Sequence, residues 1–219
     1  MHRSGRDLAK ERQQASGYLN LFDVVVIGAG PAGSSAATEA ARRGLSTLIF
    51  DKEVFPRNKP CGGAVSGRGM SYLEEPIPSW LIQREIHEAR IGFRSVTRSV
   101  HRDEIMAVVV DRAAFDHYLL QGAQAAGARA KLGERVHRLT DTGSHVEVET
   151  SRGTYHARFA VVAEGAFGGL KTRVRRKDRP DEMGLCAVTD VPAATDEIEG
   201  FPGSTLEMQL GVAGYGYGW

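Results

Sequence analysis

An α/β fold built on a parallel sheet follows from three observations near the start of the chain. A short β-branched run, Val24 to Ile27, leads straight into Gly28-Ala29-Gly30-Pro31-Ala32-Gly33. The next stretch, "AGSSAATEAARR", is rich in small residues and helix formers and stops at Gly44. A second apolar run, Ser46 to Phe50, then closes on Asp51. Apolar runs of this length bounded by turns suit strands buried on both faces, as in a parallel sheet.

Each element follows in order. Residues 1–21 read as a mobile polar extension with a short helical turn, because "MHRSGRDLAKERQQASGYLN" is polar and lacks the apolar core of a secretory signal. Pro31 suits the first helical turn and Gly44 the C′ position that ends it. Residues 52–70, with Pro56, Pro60 and a glycine cluster, read as loop. Ala89–Ser95 and Glu104–Val110 read as strands. The stretch "DRAAFDHYLLQGAQAAGA" (111–128) has helical spacing, with Phe115, Leu119 and Ala123 on one face. "HVEVET" alternates apolar and polar, and a turn at Arg152–Gly153 leads into "TYHARFAVVAEG", which ends at Glu164–Gly165. "GLCAVTDV" and "STLEMQLGV" read as short strands before the final "GVAGYGYGW". The expected domains are 1–21 as extension, 22–182 as a nucleotide-binding domain, and 183–219 as the start of a second, β-sheet domain.

Composition narrows the class. The 219 residues are 42% hydrophobic and 25% charged, with a formal net charge of +1. That balance is ordinary for a globular protein and lacks the basic excess of a dedicated nucleic-acid binder. Two cysteines, Cys61 and Cys186, are too few for a disulfide framework and suit a reducing cytoplasm. No apolar run approaches the roughly 18 residues that signal a membrane span.

The glycine pattern carries the first chemistry. Gly28 permits a tight turn, Gly30 lets backbone approach a pyrophosphate, and Gly33 lets helix and strand pack closely. Pro31 and Ala32 open a helix whose N-terminus faces the phosphates with a positive dipole end. Asp51, 18 residues beyond Gly33, stands where a carboxylate accepts ribose hydroxyls. Together these predict dinucleotide binding. A second motif, "FPRNKPCGGAVSG", reads either as a loop passing close to a flat ligand or as a surface loop with an inert Cys61. Arg112 reads as a phosphate partner or as a surface arginine beside Asp111. The basic stretch Lys171–Arg179 reads as a solvated helix end or as a patch for anionic lipid head groups or a prenyl diphosphate. No His, Cys or Asp spacing signals a metal site; His137 and His145 flank an expected hairpin and read as solvated.

These motifs give the chain a resemblance over residues 22–219. It resembles the geranylgeranyl reductase family, within the superfamily of FAD enzymes of the p-hydroxybenzoate hydroxylase type. The resemblance rests on the glycine fingerprint ending at Asp51, on "FPRNKPCGG", on "VDRAAFDHYL" and on the terminal "YGW". It implies a Rossmann-like FAD-binding domain with ββα dinucleotide-binding insertion features, followed by the start of a substrate-binding sheet. It implies FAD contacts at Gly28, Gly30, Pro31, Ala32, Gly33, Asp51, Lys52, Cys61, Gly62, Gly63, Val65, Arg112, Val136, Glu164 and Gly165. Asp51 stands where glutamate is commoner in the family, and Glu164-Gly165 where an Asp-Gly pair is usual. The implied activity is reduction of C=C bonds in a prenyl chain of a lipid or chlorophyll-type precursor, with NAD(P)H or ferredoxin as donor. Tyr217 and Trp219 match the family's Tyr-x-Trp pair, which implies a place in the prenyl cavity, and Cys61 is the candidate catalytic group. The alternatives are an FAD monooxygenase or halogenase, and a truncated FAD-binding fragment without catalysis. The family's pattern continues past Trp219, so the chain reads as the N-terminal portion of such an enzyme, cytoplasmic or peripheral to a membrane.

Overall fold

A computed structural model of the chain describes residues 21–173, 175–184, 186–189, 203–213 and 216–218. In chain order the elements begin with β1 (Leu21–Ile27), α1 (Pro31–Arg42), β2 (Thr47–Asp51), β3 (Ala64–Ser66) and α2 (Gly67–Met70). There follow β4 (Ile82–Ile86), β5 (Glu88–Phe93), β6 (Val96–His101), β7 (Ala107–Val110) and α3 (Arg112–Ala125). The remainder is β8 (Arg129–Leu132), β9 (Val136–Asp141), β10 (Val146–Thr150), β11 (Gly153–Val162), β12 (Thr205–Ala213) and β13 (Gly216–Gly218).

Contacts divide the chain into two compact units: Met1–Arg57 with Asp116–Met183, and Asn58–Phe115 with Gly184–Trp219. This grouping differs from a nucleotide-binding domain that takes in all of 22–182, because 58–115 belongs with the C-terminal stretch. The reason is strand pairing: β12 runs parallel to β5 from Thr205↔Glu88 to Leu210↔Phe93. The sheet expected to begin at 183 therefore begins with β5.

The first unit holds a six-stranded sheet in the order β8-β2-β1-β11-β10-β9. Strands β8, β2, β1 and β11 are parallel, and β9 and β10 are added antiparallel. The βαβ unit read from the sequence is present, and Leu48, Ile49 and Phe50 are fully buried, each contributing about 1.5–3 kcal/mol of apolar burial. One core joins Val24, Val26 and Ile49 to Ala37 and Ala41 of α1 and to Leu120 and Ala123 of α3. The other joins Val25, Leu48 and Phe50 to Val136, Val148 and Ala157, so the β9–β10–β11 meander supplies side chains to the opposite face of the parallel strands.

The second unit holds a four-stranded sheet, β13-β12-β5-β6, and a three-stranded sheet, β3-β7-β4. Several expectations shift. Residues 52–70 are not all loop, since β3 pairs with β7 and α2 follows it. On α3 Phe115 and Ala123 are buried as expected, joined by Asp116 and Leu120, while Leu119 is half-buried. Gly184 and Cys186–Thr189 have no regular structure, although "GLCAVTDV" read as a strand. Among the described residues no helix is long and apolar enough to cross a membrane.

Candidate functional site

In the first unit the turn between β1 and α1 is tied to the ends of three strands. The Gly28 N–H donates to Phe50 O at 2.7 Å, and the Ala163 N–H donates to Ile27 O at 2.8 Å. Gly28 has φ +100°, and a Cβ there would lie 2.4 Å from Ala163 O. A Cβ on Gly33 would lie 1.7 Å from Gly28 O. No side chain fits at either position. Gly30 is different: its added Cβ would meet only the Arg57 Nη2, at 3.4 Å. Helix α1 starts at Pro31 without a side-chain cap at Gly30 and without an acid in its first turn. Such an N-terminus offers backbone donors and a positive dipole end to an anion.

Asp51 is buried, and its Oδ2 accepts from the Ala29 N–H at 2.7 Å while Oδ1 accepts from the Glu53 N–H at 2.9 Å. The carboxylate thus braces the glycine turn, a role not visible in the sequence, and each oxygen keeps a second lone pair for a ribose hydroxyl. A further cation stands beside the turn. Arg57 Nη2 pairs at 3.0 Å with Asp116, whose side chain is fully buried, and the guanidinium lies 4.8 Å from the Phe55 ring centroid. Its other terminal nitrogen, Nη1, is buried without a hydrogen-bond partner. A guanidinium whose Nη2 lies beside Gly30 and whose Nη1 lacks a partner fits the pyrophosphate of a dinucleotide such as FAD. Sequence reasoning quoted Arg57 within its loop without singling it out. The signal lay in its pairing with Asp116, which no local pattern announces.

The second unit places Cys61, Gly62, Gly63, Val65 and Arg112 around β3 and β7. Gly63 has φ +75°, and a Cβ there would lie 2.2 Å from Val110 O, which explains the glycine. The Val110 N–H donates to Gly63 O at 3.0 Å, and Val65 pairs with Val108. Asp111 caps α3 by accepting the Ala114 N–H at 2.8 Å, which sets Arg112 at the first turn. Cys61 is exposed. Partial burial pushes its thiol pKa up, but the nearby Gly63 N–H and the Arg112 guanidinium outweigh that and lower it, with Lys59 adding charge. Arg112 is therefore neither idle nor merely beside Asp111.

The sequence model of the FAD dependent oxidoreductases matches residues 23–167, more than half of the chain. The chain belongs to that family. A menaquinone reductase of Mycobacterium tuberculosis is 31% identical over 220 residues, covering 90% of this chain and 51% of the relative. Digeranylgeranylglycerophospholipid reductase 2 of Methanopyrus kandleri is 35% identical over 178 residues, covering 76% and 43%. The crystal structure of a geranylgeranyl bacteriochlorophyll reductase-like protein from Thermoplasma acidophilum shares the fold, with a TM-score of 0.69 at 20% identity over 88% of this chain and 51% of that one. The chain spans about half the length of the curated relatives it matches.

The other expected site residues fall into unequal settings. Pro31 and the exposed Ala32 open α1, as expected, and Lys52 faces solvent 3.7 Å from Glu53. The Val136 side chain is buried in the core shared with Phe50, so only its backbone is available to a ligand. Glu164 folds back: its Oε1 accepts from the Lys171 N–H at 2.9 Å, and a Cβ on Gly168 would collide with it. It caps a 3-10 turn over Leu170–Arg173, while its backbone and that of Ala163 border Gly28. Gly165 has φ +79° and open space around it. Tyr217 sits opposite Leu210 in the β12–β13 ladder, and Trp219 lies outside the described residues. The basic stretch is paired internally: Lys171 and Arg175 meet Asp178, Arg176 meets Glu182, and Arg179 meets Asp181. The Asp178 carboxyl is held down at about 2 by Arg175 and Lys171. His145 is not simply solvated, because its ring packs edge-on to His156 at 5.1 Å.

Proposed function

We propose that this chain forms the cofactor-holding part of a reductase that uses FAD to saturate C=C bonds in the prenyl chain of a lipid or chlorophyll-type precursor. One observation carries the reading: a turn in which Gly28 and Gly33 admit no side chain, with the Arg57 guanidinium beside Gly30 and one of its nitrogens, Nη1, buried without a partner. The Gly28–Gly33 backbone, the start of α1 and Arg57 would hold the pyrophosphate, and Asp51 the ribose hydroxyls. Bound FAD supplies the hydride. NAD(P)H or ferredoxin replenishes it in this proposal.

The substrate class is supported from the second unit. Alternation along β5 gives Ala89, Ile91 and Phe93 one face, and the register sets Val100 and Val96 of β6 and Leu210 of β12 beside them. Ile91, Phe93, Val96, Val100 and Leu210 are all exposed, an apolar surface suited to orienting a prenyl chain and excluding water. The name of the Methanopyrus relative, a reductase of a digeranylgeranyl lipid, points the same way. Saturating a C=C bond needs a proton as well as a hydride. Cys61 holds one on Sγ, and Arg112 with the Gly63 N–H stabilises the thiolate left when it leaves. Peripheral contact with a membrane that carries the lipid belongs to this proposal. The stretch Lys171–Arg179 adds less to it than its sequence suggests, since Lys171, Arg175, Arg176 and Arg179 already face carboxylates.

The test is anaerobic incubation of the intact, flavin-loaded protein with a geranylgeranyl lipid and a chemical reductant, read by mass spectrometry. The expected result is a gain of two hydrogens per double bond, reduced by Cys61→Ser without loss of flavin. Oxygen-dependent NAD(P)H consumption with no such gain overturns the reading in favour of a monooxygenase or halogenase. Unchanged turnover in Cys61→Ser removes the thiol from the mechanism.

A further inference from the structure

The β10–β11 hairpin of the six-stranded sheet and the turn before it gather three metal-ligating side chains that no sequence spacing announces. In the β10–β11 ladder Glu147 stands directly opposite His156, while Val148 and Tyr155, one step along, serve the core. Alternation therefore puts Glu147 and His156 on the face away from that core. His145, two residues before Glu147, returns to the same face. One donor atom from each of the three lies within 4.8 Å of the others. His145 Nε2 is 3.9 Å from a Glu147 oxygen, and the two imidazoles meet edge-on.

We propose that His145, Glu147 and His156 bind a divalent transition-metal ion, with zinc the ion that the donor set suits. Two imidazoles and one carboxylate form a nitrogen-rich set that magnesium and calcium, which take oxygen ligands, do not favour. Zinc bonds such atoms at about 2.0–2.2 Å in a tetrahedron, which brings donors to about 3.4 Å apart. Rotation of exposed and half-buried side chains closes that gap with no change of strand register. The fourth position stays open to water.

The surroundings prepare the ligands. The Thr142 hydroxyl donates to His145 O at 2.9 Å, so its oxygen acts as acceptor toward His145 Nδ1 at 3.2 Å, and Ser144 Oγ lies 3.0 Å from the same nitrogen. A proton on Nδ1 leaves the Nε2 lone pair toward Glu147, the outer-shell arrangement that orients metal-bound histidines. His156 Nδ1 is buried and has no hydrogen-bond partner. The bound ion would clip the turn before β10 onto β11. Nothing in this inference depends on the flavin reading.

The experiment titrates Zn²⁺ into the metal-free full chain, with the exposed Cys61 and Cys186 alkylated to remove thiolate binding. The expected result is one equivalent bound and a raised thermal midpoint. His145→Ala, Glu147→Ala and His156→Ala should each weaken binding at least about tenfold, and His137→Ala should leave it unchanged. In the unsubstituted chain the imidazole nitrogen signals of His145 and His156 should shift on adding Zn²⁺, a readout that holds even if a variant fails to fold. Absence of binding, equal affinity in the triple variant, or imidazole shifts confined to other histidines overturns the proposal.

Discussion

The two units use glycine for different ends. In the first, Gly28 and Gly33 are packed against backbone on every side, and the turn they make is braced by Asp51 from β2. In the second, Gly63 is equally confined against Val110, but the neighbouring Cys61 and Gly62 are exposed and the thiol is tuned by Arg112. The first arrangement fixes the backbone of the turn and leaves the donors at the start of α1 free for an anion. The second leaves a reactive group free beside a rigid support. The first arrangement is thus built mainly from main chain, and the second from side chains held by it.

Breaking the first arrangement should have the largest effect. Gly33→Ala forces a Cβ into Gly28 O, so strand and helix must separate; a loss of about 3 kcal/mol or more is expected, together with all flavin binding. A denaturant titration beside the flavin absorbance spectrum checks both. The next effect separates stability from binding. Arg57→Met takes the guanidinium away from the buried Asp116 carboxylate and should cost about 3 kcal/mol, whereas Arg57→Met with Asp116→Asn recovers much of that stability. FAD affinity should stay low in both variants, because the orphan nitrogen is gone. Recovery of affinity in the double variant would make Arg57 a packing residue only.

The smallest effect sharpens the second arrangement. Cys61 has a lowered pKa, so its thiolate, and hence its alkylation by iodoacetamide, appears at a lower pH than for an ordinary thiol. Arg112→Met removes a hydrogen bond and a positive charge that lower it, while burial still raises it. The midpoint of the alkylation-rate profile should therefore move to higher pH, with the Gly63 N–H limiting the shift.

The βαβ unit was legible because its signals are local: an apolar run, three glycines at fixed offsets, a helix of small residues and an acid at a strand end. The rest depended on partners far along the chain. Strand β6 is exposed at every residue and β4 carries Gln83-Arg84-Glu85, so neither shows the alternation that marks a half-buried strand. On α3 the expected Phe115 and Ala123 are buried, but the burial of Asp116 was not legible, because its partner Arg57 lies 59 positions earlier (116 − 57). His145 and His156 looked unrelated until strand register paired Glu147 with His156. Arg57 itself sits in a loop whose composition marks a turn and nothing more.

The central claim is that the first unit holds a dinucleotide, and comparison of two flavins tests it most directly. Fluorescence titration of the flavin-free chain with FAD and with FMN separates recognition of the adenylate and pyrophosphate from recognition of the ring system. The account predicts that FAD binds at least about a hundredfold more tightly than FMN, a difference of roughly 2.7 kcal/mol drawn from the glycine turn, Asp51 and Arg57. Equal affinity for the two, or binding of neither, would contradict it.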